Sequence, residues 1–544
     1  LLSANNVNVS LNSEIIDLEE NEFYIDDVME IGELIDFNVN IDISDQIDLG
    51  EAILNVLINA EYTDTYGDDY NYEVNFPINL DINLRQVNWP VEIGSQIVSS
   101  PAIIDINNDG SNEIIFGDYN GLLHVLDYNG NIVDGFPFET NDDIWSSPAV
   151  GDIDNDGELE IVITSKDKHL YILDQYGNVE LDYNANQFLM ATPVLCQMDQ
   201  DPELEIVFSG YSSSGDVFAI NHDGSDLDGF PSPINEKILT GAAVTDINGN
   251  GLDDIIIATE TQDMLCIVYD SGIIDTLMYA QDKFKSSPTV IKSDLNENWI
   301  LVSSKDHNLY ALDFLGNLKF IYTTLYEIIS SPTIVDINSN TIGIFFGGQD
   351  GHLYGINQDG EDLPGWPISI GGQFTTSPSI ADLDNDGEPE IICGNSTGDL
   401  FAFNVDGTLL PYFPIEYTSS ISSSPSIVDL DEDGDFEIFV GVTDMMIGID
   451  YKDQGSVLNY WNFYRGNLYR NGTYFSSYIG SCSNPLQGDL NCDGFFDVVD
   501  IISLVEIILD INEYDQFEIW ASDLNSDSII DIFDVIILTN LILE

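Results

Sequence analysis

The stretch Ser146–Ile163 reads SSPAVGDIDNDGELEIVI, and the chain repeats it. TSPSIADLDNDGEPEIIC begins at Thr376 and SSPSIVDLDEDGDFEIFV at Ser423. Each copy joins two signals. Ser-Ser-Pro leads into a short apolar run, and D-x-D-x-D-G-x-x-E follows. The recurrence sets an architecture, and carboxylates at alternate positions set a chemistry suited to a hard cation.

Aligned on the proline, the units fall at Pro101, Pro148, Pro193, Pro288, Pro332, Pro378 and Pro425, with Ala242 in the fourth place. Successive spacings are 47, 45, 49, 46, 44, 46 and 47 residues. This period suits a four-stranded sheet, so the expected fold is mainly β, an eight-bladed β-propeller. In the second unit the strands read as SSPAVGDI, LEIVITSK, KHLYILDQ and an outer strand after Tyr176-Gly177-Asn178. β-branched and aromatic residues fill them, and N-G, D-G and Y-G pairs punctuate. Helical periodicity is absent until about residue 498, which excludes a helical solenoid. NWPVEIG (Asn88–Gly94) looks like the outer strands GFPFET (Gly135–Thr140) and GWPISIG (Gly365–Gly371). Lying ahead of the first unit, it is placed to complete the last blade and remove an open edge. GSVLNYWNFYRGN (Gly455–Asn467) competes for that position.

These phrases resemble the FG-GAP/VCBS family, over Val87–Tyr474. The resemblance implies calcium-loop blades such as those of integrin α-chains. Phrases such as Asn308–Asp313 also resemble quinoprotein propellers, but the Trp-docking phrase of those enzymes is missing and no quinone is expected.

Calcium takes about 6–8 oxygens at roughly 2.3–2.6 Å, and alternate residues of a tight loop turn toward one centre. The first unit offers Asp105, Asn107, Asp109 and Glu113, the second Asp152, Asp154, Asp156 and Glu160. The seventh offers Asp382, Asp384, Asp386 and Glu390, the eighth Asp429, Asp431, Asp433 and Glu437. A plain Asx-rich turn is the competing reading of one copy. Four copies in register favour calcium. The fourth unit (Asp246, Asn248, Asn250, Asp254) carries fewer charges and is expected to bind more weakly. The third has Gln197, Asp199 and Asp201 with Pro202 in place of glycine, and is expected not to bind. The fifth puts Lys292 at the first ligand position, and the sixth (Asp336, Asn338, Asn340) lacks the ninth-position acid; both are expected to be empty.

Residues 1–84 alternate apolar and polar around turn signals and read as a small Ig-like β-sandwich, a spacer truncated at its start. Residues 85–476 hold the repeats. In residues 482–544, GDLNCDGFFDVVDIISLVEIIL is followed 34 residues later by SDLNSDSIIDIFDVIILTNLIL. Each is an acidic loop running into an amphipathic helix. The pair resembles a dockerin, the module that binds a cohesin on another protein. The resemblance implies two further calcium loops: Asp489, Asn491, Asp493, Asp497 and Asp500, then Asp523, Asn525, Asp527, Asp531 and Asp534. Val498–Val499 and Ile532–Phe533 stand where well-known cellulosomal dockerins carry Ser/Thr pairs, which leaves the cohesin-like partner's identity open between apolar contact and core packing.

The chain's 544 residues include 12 Lys and Arg against 97 Asp and Glu, a net charge of −85. Such a field repels nucleic acid and anionic membranes. No run approaches the ~18 apolar residues of a membrane helix. The chain begins at Leu1 without Met and reads as a fragment or processed product. Cys196, Cys266 and Cys393 lie in apolar strands and read as core. Cys482 and Cys492 flank a loop, and a disulfide there would fit an oxidising exterior. No G-x-S-x-G, H-E-x-x-H or Cys–His arrangement points to catalysis. The histidines His124, His169, His307 and His352 recur near one blade strand, which is a structural pattern. Trp145, Phe188, Phe284 and Phe374 precede Ser-Ser-Pro and read either as a mouth for glycan or protein ligands or as packing between blades. The sequence thus favours a secreted, calcium-stabilised binding or adhesion module. The rivals are a polysaccharide lyase or hydrolase, and the non-catalytic tail of a larger secreted protease.

Overall fold

The computed structural model describes residues 5–13, 17–18, 22–25, 41–42, 50–63, 66, 68–293, 298–338, 341–374, 376–431, 434–457 and 460–476. Near the C-terminus it describes 501, 504, 505, 508, 522, 524, 530 and 532–543. The chain divides into two compact units, Leu1–Arg85 and Gln86–Glu544.

In the first unit, period-2 alternation builds an antiparallel sheet in the order Glu22–Ile25, Asn5–Asn12, Gly50–Thr63, Asp69–Ile82. Val7, Val9, Leu11, Ala52 and Leu54 share its buried face. A small ladder joins Asp17–Leu18 to Ile41–Asp42. Of the expected sandwich, the described residues give one four-stranded sheet and this ladder; residues 26–40 and 43–49 lie outside them.

In the second unit each repeat folds into its own sheet, eight among the described residues. The second repeat pairs Ala149–Gly151, Glu160–Thr164, His169–Leu173 and Val179–Asn184 in sequence order, antiparallel throughout. Its first three strands are almost wholly buried and its fourth is largely exposed, so the sheet runs from core to rim. The eighth sheet contains Ser426–Val428, Asp435–Gly441 and Met445–Gln454, and its outer strand is Val91–Glu92, from ahead of the first repeat. NWPVEIG therefore closes the seam.

The serines explain the cyclic order. The first serine of the phrase ties its own sheet together: Ser146 Oγ donates to Thr164 O (2.9 Å) and accepts the Thr164 N–H (3.1 Å). The second ties one sheet to the next. Ser100 N–H donates to Ser147 Oγ, Ser147 to Thr192 Oγ1, Ser287 to Ser331, Ser331 to Ser377 and Ser377 to Ser424. Ser424 N–H returns to Ser100 Oγ at 3.0 Å and carries the series across the seam. At Gly241 the fourth unit has no hydroxyl to offer. Sheets radiating from such a circuit form a β-propeller.

The segment Gly455–Asn467, a candidate for the closing strand, does something else. Ser456 and residues 460–476 pass along the inner edges of the first strands. The N–H groups of Ile380, Ile427, Val150, Leu195, Val244 and Val290 donate to the carbonyls of Trp461, Asn462, Leu468, Tyr469, Asn471 and Gly472. Thr473–Ser476 adds a parallel strand inside Thr289–Ser293. Inner-edge groups that would otherwise be unpaired are thereby satisfied. At the far end of the chain, helix Ile532–Leu543 buries Leu538 against Leu504, with Leu524 and Ile530 beside them.

Candidate metal centres and the central cavity

The acidic loops follow the first strands; in units one to four and seven the second strand begins with the ninth loop residue, and in the eighth Glu437 lies two residues inside it. In the second unit Asp152 accepts the N–H groups of Asp156 (3.1 Å) and Gly157 (3.0 Å), which closes the loop. Gly157 has φ of 93°, a conformation other residues adopt at a cost. Glu160 is 3% exposed, and its Oε2 accepts the Ile153 N–H at 2.9 Å. The same bond recurs from Ile106 to Glu113 (3.1 Å), Leu383 to Glu390 (2.6 Å) and Leu430 to Glu437 (2.6 Å). One carboxylate oxygen pins the loop, and the other is left for the loop's centre.

Ligand-capable oxygens converge within 4.8 Å in Asp152–Asp154–Glu160, Asp382–Asp384–Glu390 and Asp429–Asp431–Glu437. In the first unit Asn107 replaces one acid; its Nδ2 bonds Glu113 Oε1 at 3.1 Å, and Asp105 closes on Asp109 and Gly110. Asp156 and Asp386 each accept an N–H two residues on, from Glu158 and Glu388. Asp433 lies outside the described residues. Among the described residues the buried oxygens Asp382 Oδ1, Glu390 Oε1 and Glu437 Oε1 meet no hydrogen-bond partner. Burial, reinforced by the loop aspartates, pushes the carboxyls of Glu113 up to about 7, Glu160 and Glu437 to about 8, and Glu390 to about 9. A buried, oxygen-only set with unmatched negative charge suits a hard divalent cation.

The remaining loops diverge. The third, expected not to bind, brings Asp199, Asp201 and Glu205 together despite Pro202. Glu205 is fully buried, its Oε2 accepts the Met198 N–H, and its Oε1 meets no partner among the described residues. The ninth-position acid, outside the strict D-x-D-x-D-G frame, is what draws this loop together. In the fourth, Asp254 accepts N–H groups from both Ile247 (3.1 Å) and Asp270 (3.0 Å), Asn248 bonds Asp254, and Asn250 Nδ2 is drawn to Asp270. Those oxygens are already engaged. Lys292 of the fifth unit donates from Nζ to the Asp246 carbonyl of the fourth at 3.3 Å, and residues 294–297 of its own loop lie outside the described residues. Asp336 of the sixth accepts from Ser476 at 2.5 Å. Asp489, Asn491, Asp493, Asp497, Asp500, Asp523, Asn525, Asp527 and Asp531 lie outside the described residues, as do Cys482 and Cys492; Asp534 falls in helix Ile532–Leu543.

At the opposite end of the first strands lies a cavity of about 500 Å³. Two positions of the repeat supply most of its wall. The residue before the proline supplies the hydroxyl circuit, and the residue three before it supplies Val98, Trp145, Met190, Leu239, Lys285 and Ile329. The residue four before the proline turns into the core instead: Ile97, Ile144, Leu189, Ile238, Phe284, Ile328, Phe374 and Ile421 are all fully buried. A Cβ on Gly347 would lie 2.2 Å from the Phe374 ring, which shows how closely these side chains seat. Of the four candidate aromatics, only Trp145 lines the cavity. Phe284 and Phe374 are packing residues, and Phe188, 43% exposed, lies beneath Lys168. Tyr464 lines the cavity too, and the arginines Arg465 and Arg470 lie buried beside it in the chain.

Residues 105–163 and 382–440 match the FG-GAP-like repeat. The second unit is a β-propeller that carries FG-GAP-like repeats. Among curated proteins none matches the chain. Among solved structures the propeller is similar to the V. cholerae biofilm matrix protein Bap1, at 13% identity and a TM-score of 0.52, over 70% of this chain and 94% of that one. The computationally designed Ika8 protein (13% identity, TM-score 0.47) aligns over 68% of this chain and 99% of its own. The Dos1 propeller (14%, 0.43) aligns over 69% and 95%. At these identities the likeness is one of fold. No described helix of the chain is long and apolar enough to cross a membrane.

Proposed function

We propose that this chain is an extracellular binding or adhesion protein: an eight-bladed FG-GAP propeller braced by calcium and tethered through a dockerin-like C-terminal module. The observation that carries the calcium reading is the recurrent ninth-position glutamate, buried, with one oxygen pinned to the loop and one turned to the acidic centre. Calcium would supply charge neutralisation there. Asp152, Asp154 and Glu160, Asp382, Asp384 and Glu390, and Asp429, Asp431 and Glu437 would hold it, with Asp105, Asn107 and Glu113 as a fourth set. The weaker fourth loop and the carboxylates of the third are further candidates.

The binding reading is supported by a rigid ring with a sizeable cavity and by the company of a biofilm matrix protein among structures of this fold. The tether rests on the paired loops of residues 482–544 and their resemblance to dockerins.

The test is capture on immobilised full-length chain, with calcium and with chelator. A cohesin-fold partner retained only with calcium, and lost when residues 482–544 are removed, is the expected result. Capture indifferent to calcium and to that deletion defeats the tether. Failure to retain any cell-surface polysaccharide or surface protein defeats the binding role.

A further inference from the structure

We propose that the central cavity is a saccharide site that receives a neutral sugar ring against the Tyr119–Trp145 pair. The inference rests on the reading of the propeller as a binding module and gives it a place and a ligand class.

Three observations point there. First, the cavity wall is rich in hydroxyls. Ser100, Ser147, Thr192, Ser331, Ser377 and Ser424 each accept one backbone N–H, from the neighbouring unit. A hydroxyl has one proton and two lone pairs, so each keeps a proton and a lone pair for an occupant. That matches a ligand that is itself a ring of hydroxyls. Second, an aromatic platform is held in place. Tyr119 and Trp145 stack with centroids 5.2 Å apart and planes 14° from parallel. Trp145 Nε1 donates to Asp143 at 3.2 Å, and Lys166, itself paired to Asp143, lies 5.7 Å from the indole centroid. A sugar's C–H face gains from such a surface, and a pre-positioned ring loses little freedom on binding.

Third, the lining selects by charge. The chain carries 97 Asp and Glu, yet none of the described residues lining this cavity is acidic. A basic peptide therefore finds no carboxylate inside. The one cation among the described residues of the wall, Lys285, is already paired with the buried Glu260. An acidic polysaccharide meets no free counter-charge there and is repelled by the net charge of −85. A neutral sugar meets neither penalty. The cavity's volume, about 500 Å³, lies within the range of small-molecule sites.

The test is calorimetry on the full chain in calcium. The probes are neutral gluco-, manno-, galacto- and xylo-oligosaccharides, an oligouronate and an oligolysine. At least one neutral oligosaccharide is expected to bind, with the oligouronate and oligolysine weaker. Trp145→Ala removes half the platform. Gly241→Gln fills the cavity from a position where an added Cβ has no neighbour closer than 3.5 Å, so the fold should tolerate it. Each variant is expected to weaken binding about tenfold or more with an unchanged melting temperature. Neutral-sugar binding that both variants leave intact, or a preference for the oligouronate or oligolysine, overturns the assignment. If surface material is still captured by Gly241→Gln while no oligosaccharide binds the parent chain, the cavity proposal falls and the binding role stands. If neither is seen, both fall.

Discussion

One residue past each proline decides who serves the next unit's proline carbonyl. Thr289, Thr333, Ser379 and Ser426 donate to the carbonyls of Pro332, Pro378, Pro425 and Pro101 at 3.0, 2.8, 2.6 and 2.7 Å. Units one to four carry Ala102, Ala149, Val194 and Ala243 there, with no hydroxyl. Two arginines supply donors for three of the four carbonyls so left. Arg470 Nε reaches Pro148 O at 2.9 Å, and Arg465 bonds the carbonyls of Ala242 and Pro288. Arg470 also serves Tyr464 O at 2.8 Å and Pro101 O at 3.1 Å. Both are almost wholly buried, and burial pushes their guanidinium groups down, to about 9 for Arg470 and about 10 for Arg465. They remain cations at neutral pH, solvated by carbonyls. Arg470→Met would strand those carbonyls in the core. Each buried polar group left unmatched costs about 1–3 kcal/mol, so a loss of roughly 3 kcal/mol or more is expected. Denaturant unfolding with an unchanged slope measures it; a midpoint equal to the parent's would refute this role.

At the scale of the loop, the raised glutamates give calcium binding a pH dependence. Their ordinary carboxyl value is near 4.5, and in the folded chain without metal Glu113, Glu160, Glu437 and Glu390 are held at about 7 to 9. A raised value means that the folded state favours the proton. That contribution is complete below the unfolded value and is lost as pH rises through the folded one. In chelator, the melting temperature should therefore climb as pH falls from about 9 toward 5. Calcium replaces those protons, so its stabilising increment should be largest at high pH and shrink toward 5. A calcium increment independent of pH would count against these glutamates as ligands. Glu390→Gln should remove a single calcium from the calorimetric stoichiometry and leave the other loops' affinities unchanged. Much of this was legible: the D-x-D-x-D-G frame located Asp152, Asp382 and their partners, and the period located the sheets. The third loop was not, because Pro202 breaks the frame while Glu205 still folds back onto Met198. The cavity wall was read only in part. Trp145 and Phe284 stand at different offsets from their prolines, and a shift of one residue in an extended strand exchanges core for cavity.

For the whole molecule, the decisive contacts join residues far apart in the chain, where a repeat pattern gives no sign of them. Val91–Glu92 seals the eighth sheet by pairing with Met445 and Met446, some 350 residues on. Ser422 reaches the Ile97 carbonyl at 2.5 Å and Asn112 reaches the Asp429 carbonyl at 3.2 Å, and these join the Ser424–Ser100 and Ser426–Pro101 bonds across the same seam. The repeat predicts that seam, because closure leaves no edge. It does not predict the segment 460–476, which has no counterpart in any unit and no strand alternation of its own. Yet that segment pairs inner-edge N–H groups of six first strands and carries both buried arginines. The two facts together make it part of the propeller rather than a linker leaving it. A chain ending after Gln454 should lose the paired inner edges, the carbonyl-serving arginines and the Ser476–Asp336 bond at once, and should fail to give a cooperative melt even with calcium in excess. A chain ending after Ser476 keeps all of these. It should melt with the same calcium-dependent transition as the propeller of the full chain, whatever becomes of residues 482–544. Differential scanning calorimetry of the two truncations separates the cases. Cooperative, calcium-responsive melting of the shorter one would show that the eight sheets close without their central segment.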